Sequence, residues 1–588
     1  MKKQVPQGGE FLVTETGPES MFIREDFDEE QQLIAQTCRE FTEREVIPRL
    51  DELDRQEEGL MQTLLKKAGD LGLLAVTIPE TYGGSGNGFN TGLLVAESIG
   101  FGHSFAVAFL AHTGIGTLPV LLYGTPEQKE KYLPGLAAGR LLASYCLTEP
   151  NAGSDARAGK TRAHTVEGGA AFKLNGQKMW ITNAGFADLF IVFAKVDEDT
   201  ELSAFLVEKE FGGITMNPEE RKMGIKGSST RQVFFNDCPV PAENLLFDRG
   251  KGFRIAVNIL NTGRAKLCAA ALGSCHEIIR KSVKYALERE QFGLPIARFG
   301  AIQYKLAQMR TKTFAVESAL YRTGHSIERA YGQLMEEGME MEEAELKSIE
   351  QFAVECAILK VYGSECLDYV VDEGVQIFGG MGFSADGPME RAYRDARINR
   401  IFEGTNEINR LLIVDMLLKK AMKGSIDLMG PAGKVADELM GIPEFPGTDT
   451  AHFPDPEKRM LSNMKKAVLL VAGSAVWKYM QDLEKEQELL LNLADMVGLV
   501  YLAESALLRG MKLQAMQSRE AAGISVDMAR VYLYEAVDRI WILGKEAING
   551  FATGDELRVM LIGLKRFTKT QPFNTKDARR RIAADLLR

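Results

Sequence analysis

Cysteine is scarce and unpatterned in this 588-residue chain: seven residues, at 38, 146, 238, 268, 275, 356 and 366, odd in number and never spaced CxxC. Disulfide scaffolds and zinc sites need paired or clustered thiols, so both are disfavoured and a reducing compartment is expected. Positive charge is also in deficit, with 70 Lys and Arg against 81 Asp and Glu, a net of −11. That argues against nucleic acid as the main partner. The start, MKKQVPQGGEFLVTE, has two lysines but no apolar stretch behind them, so no signal peptide is expected. Ser98 to Pro126 carries no Asp, Glu, Lys or Arg, a length that would suit a membrane span. Gly100, Gly102, His103, Ser104, His112, Thr113, Gly114, Gly116 and Pro119 interrupt it, which favours a buried helix with its caps. What remains is ordinary globular composition, 45% apolar, 26% charged and 8% aromatic. At roughly 150 residues per domain, three or four domains are expected.

Proline is missing between Pro295 and Pro388, and again between Pro456 and Pro572. Proline is costly inside a helix, so both gaps predict long helices. Leu33, Ile34, Thr37, Cys38 and Phe41 recur at helical spacing, and residues 25–143 read as an N-terminal helical domain. ETYGGSGNGFN (80–90) interrupts it as a loop that does not match GxGxxG. From about 144 to 250 short apolar runs bounded by charge and glycine predict an antiparallel β domain, with Asn175-Gly176 as a hairpin turn. Residues 251–420 return to helical periodicity, 421–457 read as a linker rich in Pro, Gly and Asp, and 458–588 as a helical extension.

YCLTEPNAGSDARAG (145–159) could hold a phosphate or a polar ring edge with its backbone N–H groups and the hydroxyls of Thr148 and Ser154, or be an ordinary Ser/Asp/Gly turn. It is not a P-loop, because five residues separate Gly153 from Gly159 where that motif needs about four. In KMWITNAG (178–185), Trp180 and Thr182 would share one face of a strand. An indole beside a hydroxyl suits a planar heteroaromatic ring, and equally an ordinary core. In QIFGGMGFSADGPMERAYRDARINRIFEGTNEI (376–408), Gly379, Gly380 and Gly382 permit close backbone approach. Glu403 opens the turn EGTN, where it is either a positioned base or a solvated loop carboxylate.

The spacings C-L-T-E-x-x-A-G-S-D and Q-x-x-G-G-x-G-F-x-x-D-x-x-x-x-R-x-x-x-D, with KMWITN between them and EGTN after, resemble the acyl-CoA dehydrogenase family over residues 25–420. The helical extension, KMGIKGSST (222–230) and LAHTGIG (110–116) resemble its very-long-chain branch. The resemblance implies a mainly α fold: a helical domain, a central antiparallel, barrel-like β domain and a four-helix domain, plus the extension. FAD would bind between the last two family domains, and no metal is implied. Tyr145, Thr148 and Ser154 would lie along the flavin and its pyrophosphate, and Trp180 and Thr182 would flank the ring, Thr182 bonding N5. Arg289, Gln291, Phe292, Gln376, Gly379 and Gly380 would reach the ADP half of FAD held by a neighbouring subunit, and Thr405 and Asn406 would contact FAD beside the base. Asn261 and Arg264, in NTGRA, match positions that hold the CoA moiety, with Ser154 near it. Many relatives have Gln where this chain has Gly300, so one adenine-side contact is absent or supplied by Gln303. The alternative base position of some branches is Gly263 here, leaving Glu403 as the matching base.

The implied reaction is α,β-dehydrogenation of long-chain acyl-CoA to trans-2-enoyl-CoA in fatty-acid β-oxidation, with electrons passed to electron-transferring flavoprotein. The competing readings are an acyl-CoA oxidase using O2 and a catalytically weak scaffold relative. Ala108 and Ala111, three apart on one helix, would leave the acyl cavity open to chains of C12 or longer. A homodimer in the cytoplasm is expected, with the extension covering the surface through which tetrameric relatives pair. The end of the chain, 564–588, holds eight Lys or Arg against two Asp. It would pack on an acidic face of the protein, stay solvated, or touch a membrane peripherally and weakly.

Overall fold

The computed structural model describes residues 6–440, 452–517 and 522–588; the centre of the expected linker, 441–451, lies outside them. Helix starts follow the sequence. Asp28 caps Glu29–Phe41 by accepting from the Gln31 N–H at 2.8 Å, and Thr125 caps Pro126–Ala137 through the Gln128 N–H. The apolar stretch after Ser98 folds as Ser104–Leu110, a π-helical turn Ala111–Gly116 and Leu118–Tyr123. Two helical stretches, Ser104–Tyr123 and Gln487–Met516, are long and apolar enough to cross a membrane, and 83% of each apolar window is buried inside the fold.

The middle of the chain forms an eight-stranded sheet that is mixed, where an antiparallel one was expected. Ala143–Cys146 pairs with Leu189–Val196 in parallel, as do Arg162 and Ala163 with Lys195 and Val196. Tight turns force antiparallel pairing only on strands they connect directly. Ala143–Cys146 instead enters from the helical domain and meets a strand far along the chain. The hairpin expectation also fails. Ala171–Thr182 runs straight through Asn175-Gly176, and the turn lies at Glu167, Gly168 and Gly169, all with positive φ. Gly176 serves a different purpose: a Cβ there would stand 2.5 Å from Thr161 Oγ1, so it permits close approach at a register shift.

Long helices follow the sheet: Gly252–Glu288, then Gly300–Glu336 and Ala353–Phe378 within the gap between Pro295 and Pro388, as that gap predicts, and then Asn406–Met422. The extension is helical too: Asp455–Tyr479, Gln487–Met516, Gly523–Phe551, Gly554–Phe567 and Thr575–Leu586. One apolar core runs through both, joining Leu272, Phe314 and Val370 to Leu502, Leu533 and Ile582. Polar pins cross the same seam: Arg322 to Glu504 at 2.7 Å and Thr323 to the Tyr501 hydroxyl at 2.8 Å. The basic end is docked. Phe567 and Ile582 are buried, Arg581 pairs with Asp527 at 2.6 Å, Arg579 with Glu535 at 2.6 Å, and Asp585 with Arg310 at 2.7 Å.

Candidate active site

Glu403 sits at a left-handed position, φ 59°, just before a helix that Thr405 caps by accepting from the Ile408 N–H at 3.3 Å. Asn409 Nδ2 donates to the carbonyls of Gly404 and Thr405, at 2.8 and 3.0 Å, and fixes the turn. The carboxylate points into the protein: Oε2 is sealed from solvent and has no hydrogen-bond partner. Burial pushes this carboxyl up to about 7, against the opposing pull of Arg264 and Lys360. A side chain at Gly263 would collide with it, since a Cβ there would lie 2.9 Å from Oε2.

Arg264 donates from Nη1 to Asn261 Oδ1 at 2.7 Å, and its Nε points at the Glu403 carbonyl, 3.5 Å away. Asn261 and Arg264 are both buried, so they flank the carboxylate rather than the outer surface. The Asn406 side chain is spent on the protein, accepting from Lys360 Nζ at 2.7 Å and donating to Ser364 and Glu365, which leaves no side-chain donor for a cofactor. Lys360 is a charge that the sequence reading missed. Burial brings its ammonium down to about 7, beside Glu403.

From Glu403, Gly263 and Thr182 an apolar cavity runs along the Gly252–Glu288 helix past Lys266, Ala270, Ala271 and Ser274 to Ile278. The opposite wall runs the other way: Gly114 lies against the Lys266 stem, and Ser274 donates to the Gly100 carbonyl at 3.0 Å. Phe402, Asn399, Ala396, Asp395 and Ala392 close a third side, down to Pro388. The fifteen helical steps from Gly263 to Ile278 span about 22 Å of helix. Ala111 lines this cavity, but Ala108 does not; it is fully buried, and its carbonyl accepts from Asn183 Nδ2 at 2.9 Å. The cavity face is carried by Ala106, Val107, Leu110, Ala111 and Gly114, and Ala108 is turned away from it.

The strand face expected of Trp180 and Thr182 is modified by a register shift between Lys178 and Ile181, with Trp180 itself at φ 61°. Thr182 reaches the cavity, its carbonyl held by Ser144 Oγ at 2.8 Å, while the Trp180 indole stays 53% exposed. A buried pair also missed from sequence holds this strand to the 145–159 loop: Lys178 Nζ meets Glu149 Oε1 at 2.7 Å. Tyr145 is buried next to Glu403's field with its hydroxyl unpartnered; Ser154 is exposed, and the Thr148 carbonyl accepts from the Met179 N–H at 2.9 Å.

Arg289, Gln291 and Phe292 stand exposed on a small hairpin, and Gln376, Gly379 and Gly380 are exposed at the end of Ala353–Phe378. Tyr285 joins the two groups, its ring stacked on Phe378 at 4.1 Å and its hydroxyl donating to the Phe378 carbonyl at 3.2 Å. They form one surface, with open space over Gly379 and Gly380. A flavin dinucleotide fits this donor set. An exposed indole, a threonine at the cavity head and an orphaned tyrosine hydroxyl suit the ring, and the open glycines and Arg289 suit the distal half. The space beside Gly300 is filled by Arg580 of the extension, whose Nη1 donates to Gln303 Oε1 at 2.7 Å, so Gln303 is not free to replace the missing contact.

Among known proteins, residues 28–140, 144–238 and 250–418 match the N-terminal, middle and C-terminal domains of acyl-CoA dehydrogenases, and 463–566 match a further acyl-CoA dehydrogenase C-terminal domain. A probable acyl-CoA dehydrogenase of Bacillus subtilis is 45% identical over 99% of this chain and 98% of its own length. The very long-chain specific mitochondrial enzyme of Rattus norvegicus is 40% identical over 68% of this chain and 58% of its own. A crystal structure of an acyl-CoA dehydrogenase complexed with FAD from Bacillus anthracis superposes with a TM-score of 0.95, at 46% identity and 99% coverage of both chains. Butyryl-CoA dehydrogenase of Megasphaera elsdenii gives 0.60 at 35% identity, over 67% of this chain and 99% of its own. With a sealed carboxylate at the head of an apolar cavity and all of its domains matched in order, the chain belongs to the acyl-CoA dehydrogenase family, a family of flavin-dependent oxidoreductases.

Proposed function

We propose that this protein is an FAD-dependent dehydrogenase of long-chain acyl-CoA thioesters, passing electrons to electron-transferring flavoprotein as a homodimer in the cytoplasm. The observation that carries the reading is Glu403 at the head of an apolar cavity lined along about 22 Å of the Gly252–Glu288 helix. A single acyl chain spans half of a bilayer's hydrocarbon, about 15 Å, so a long chain fits. Glu403 takes the α-proton on its carboxylate, whose buried Oε2 has no competing donor. A free carboxyl near 4.3 is too weak for a carbon acid. Raised to about 7, this one is a stronger base that is still largely ionised above neutrality. Asn261 and Arg264 hold the turn that presents it, and the apolar walls exclude water from the proton transfer. Bound FAD supplies the acceptor for the hydride that leaves Cβ, and Tyr145, Thr148, Ser154, Trp180, Thr182 and Thr405 are the residues offered to it. The same motifs serve an oxidase, and oxygen uptake separates the two.

The test is anaerobic addition of acyl-CoA to the purified flavoprotein. Bleaching of the flavin absorbance, with kcat/KM peaking at C12 or longer, is expected. An unbleached flavin removes the dehydrogenase reading, and a peak at C4 to C8 removes the long-chain one.

A further inference from the structure

Besides Glu403, two non-glycine residues on the walls of the acyl cavity have backbones that L-residues seldom adopt. His103 has φ 54° and ψ −127°, and Ile225, which is β-branched, has φ 46°. Such conformations persist only when their surroundings impose them. One buried side chain reaches both. Asp395 Oδ2 lies 2.9 Å from His103 Nδ1, and Oδ1 accepts from the Ile225 N–H. The three come from three parts of the chain: the break between two N-terminal helices, the 222–230 loop of the middle domain, and the Pro388–Ala396 helix. All three line the cavity. The packing around them is tight as well. A Cβ on Gly224 would lie 2.4 Å from the Arg394 carbonyl, and the Gly227 N–H donates to Ser104 Oγ at 3.1 Å. Nothing in the proton transfer at Glu403 uses Asp395.

We infer that Asp395 is a positioning residue that sets acyl-chain selectivity by clamping two adjoining segments of the cavity wall, those of His103 and Ile225. The inference rests on the long-chain reading above. The clamp sits partway along the cavity. Gly100 packs on the Ala270 carbonyl, seven residues or about 10 Å of helix beyond Gly263, and His103 follows Gly100 closely in the chain. A butyryl chain, with three C–C bonds of about 1.5 Å, stops short of it, while a palmitoyl chain passes it. Loosening the walls should therefore harm long substrates and spare short ones.

The experiment compares palmitoyl-CoA with butyryl-CoA on wild type, D395A and D395N, with flavin content and thermal midpoint measured alongside. In D395A the palmitoyl/butyryl ratio of kcat/KM should fall roughly 10- to 100-fold, as expected for lost bonds to a charged acceptor. The fall should appear mainly in KM for palmitoyl-CoA, with kcat on butyryl-CoA kept. D395N should restore most of the ratio, because its amide oxygen still accepts from the Ile225 N–H and its Nδ2 stands where it can donate to His103 Nδ1. An unchanged ratio in D395A, with both substrates losing equally, overturns the inference and leaves a purely structural role. If D395A does not hold flavin, H103A cuts one arm only; the same fall supports the clamp and an unchanged ratio overturns it. A wild type that prefers butyryl-CoA defeats the long-chain reading itself, a different result from either.

Discussion

Glu403 is held in an unusual state by its burial and two charged neighbours. Burial raises its carboxyl to about 7, while Arg264 and Lys360 hold it from rising further. Glu403→Gln keeps the shape but cannot take the proton, so kcat should drop on the order of 10²–10⁴-fold or more with FAD still bound. The same substitution should affect stability, with a definite sign. A carboxyl raised in the folded state binds more protons folded than unfolded, so its contribution to stability falls as pH climbs through about 7. Glu403→Gln should therefore melt above wild type at pH 8, and the gap should narrow toward pH 5 and close only below the free carboxyl's value of about 4.3. An equal gap at both pH values would count against a buried, ionising carboxylate. Lys360 supplies an independent test. Its cation lowers the Glu403 carboxyl, so Lys360→Met should move the acid limb of kcat/KM to higher pH. The Asn406 oxygen that Lys360 leaves still accepts from Ser364 Oγ at 3.2 Å. A limb that stays put would show that the lysine is already neutral in the working enzyme. Of these groups Glu403 and Arg264 were singled out in the sequence, Glu403 by the EGTN turn and the family resemblance together and Arg264 only as a position for the CoA moiety. Lys360 looked like any lysine on a helix, since only the fold brings Asn406 and Glu403 to it.

At the scale of elements, the helices were legible because apolar period and proline absence both report on one segment at a time. The sheet was less so. Its parallel pairings join Ala143–Cys146 to Leu189–Val196 across an intervening hairpin, a relation with no local signature. Asn175-Gly176 misled for a physical reason: a glycine demanded by contact with Thr161 reads the same as a glycine demanded by a turn. The cavity helix shows the same limit. Three-residue spacing put Ala108 and Ala111 on one face, but only Ala111 lines the cavity, and the Ala111–Gly116 turn is π-helical. This gives a paired prediction. Ala111→Phe should fill the cavity and move the kcat/KM optimum to shorter chains at little cost to folding. Ala108→Phe should overpack a fully buried site and lower the thermal midpoint, by about 1–3 kcal/mol of stability or more, without moving the optimum first. A chain-length profile that answers to Ala108 and not to Ala111 would reverse the assignment.

Across the whole molecule, the extension and the catalytic body are one packed unit. A buried charge network ties them: Arg509 of the extension meets Glu317 at 2.6 Å and Glu25 at 2.8 Å, and His276 joins Glu317 at 2.9 Å. The Gln487–Met516 helix lies on Gly300–Glu336 and on Asn406–Met422, with Arg410 pairing to Asp495 at 2.7 Å. The extension thus covers faces of the catalytic helices. Another surface stays uncovered. Phe292 is 93% exposed and Phe383 85%, on the two groups that Tyr285 and Phe378 join. Large exposed apolar groups gathered on one surface call for a partner, and a closed two-fold contact is the commonest way to supply one. Because Arg289, Gln376 and the open glycines share that surface, association there would complete the distal part of the cofactor site. Light scattering should accordingly give twice 65.0 kDa at low micromolar concentration. Phe292→Asp should shift the mass toward one subunit and lose FAD in the same step, read by absorbance after gel filtration. A mass near four subunits would defeat the dimer, and a Phe292→Asp monomer that keeps its flavin would separate assembly from cofactor binding. The basic end of the chain has little left to offer a membrane, since its apolar residues Phe567 and Ile582 are buried and Arg579 and Arg581 are paired. Any co-sedimentation with anionic vesicles should be weak and should vanish with salt, as screened surface charge requires.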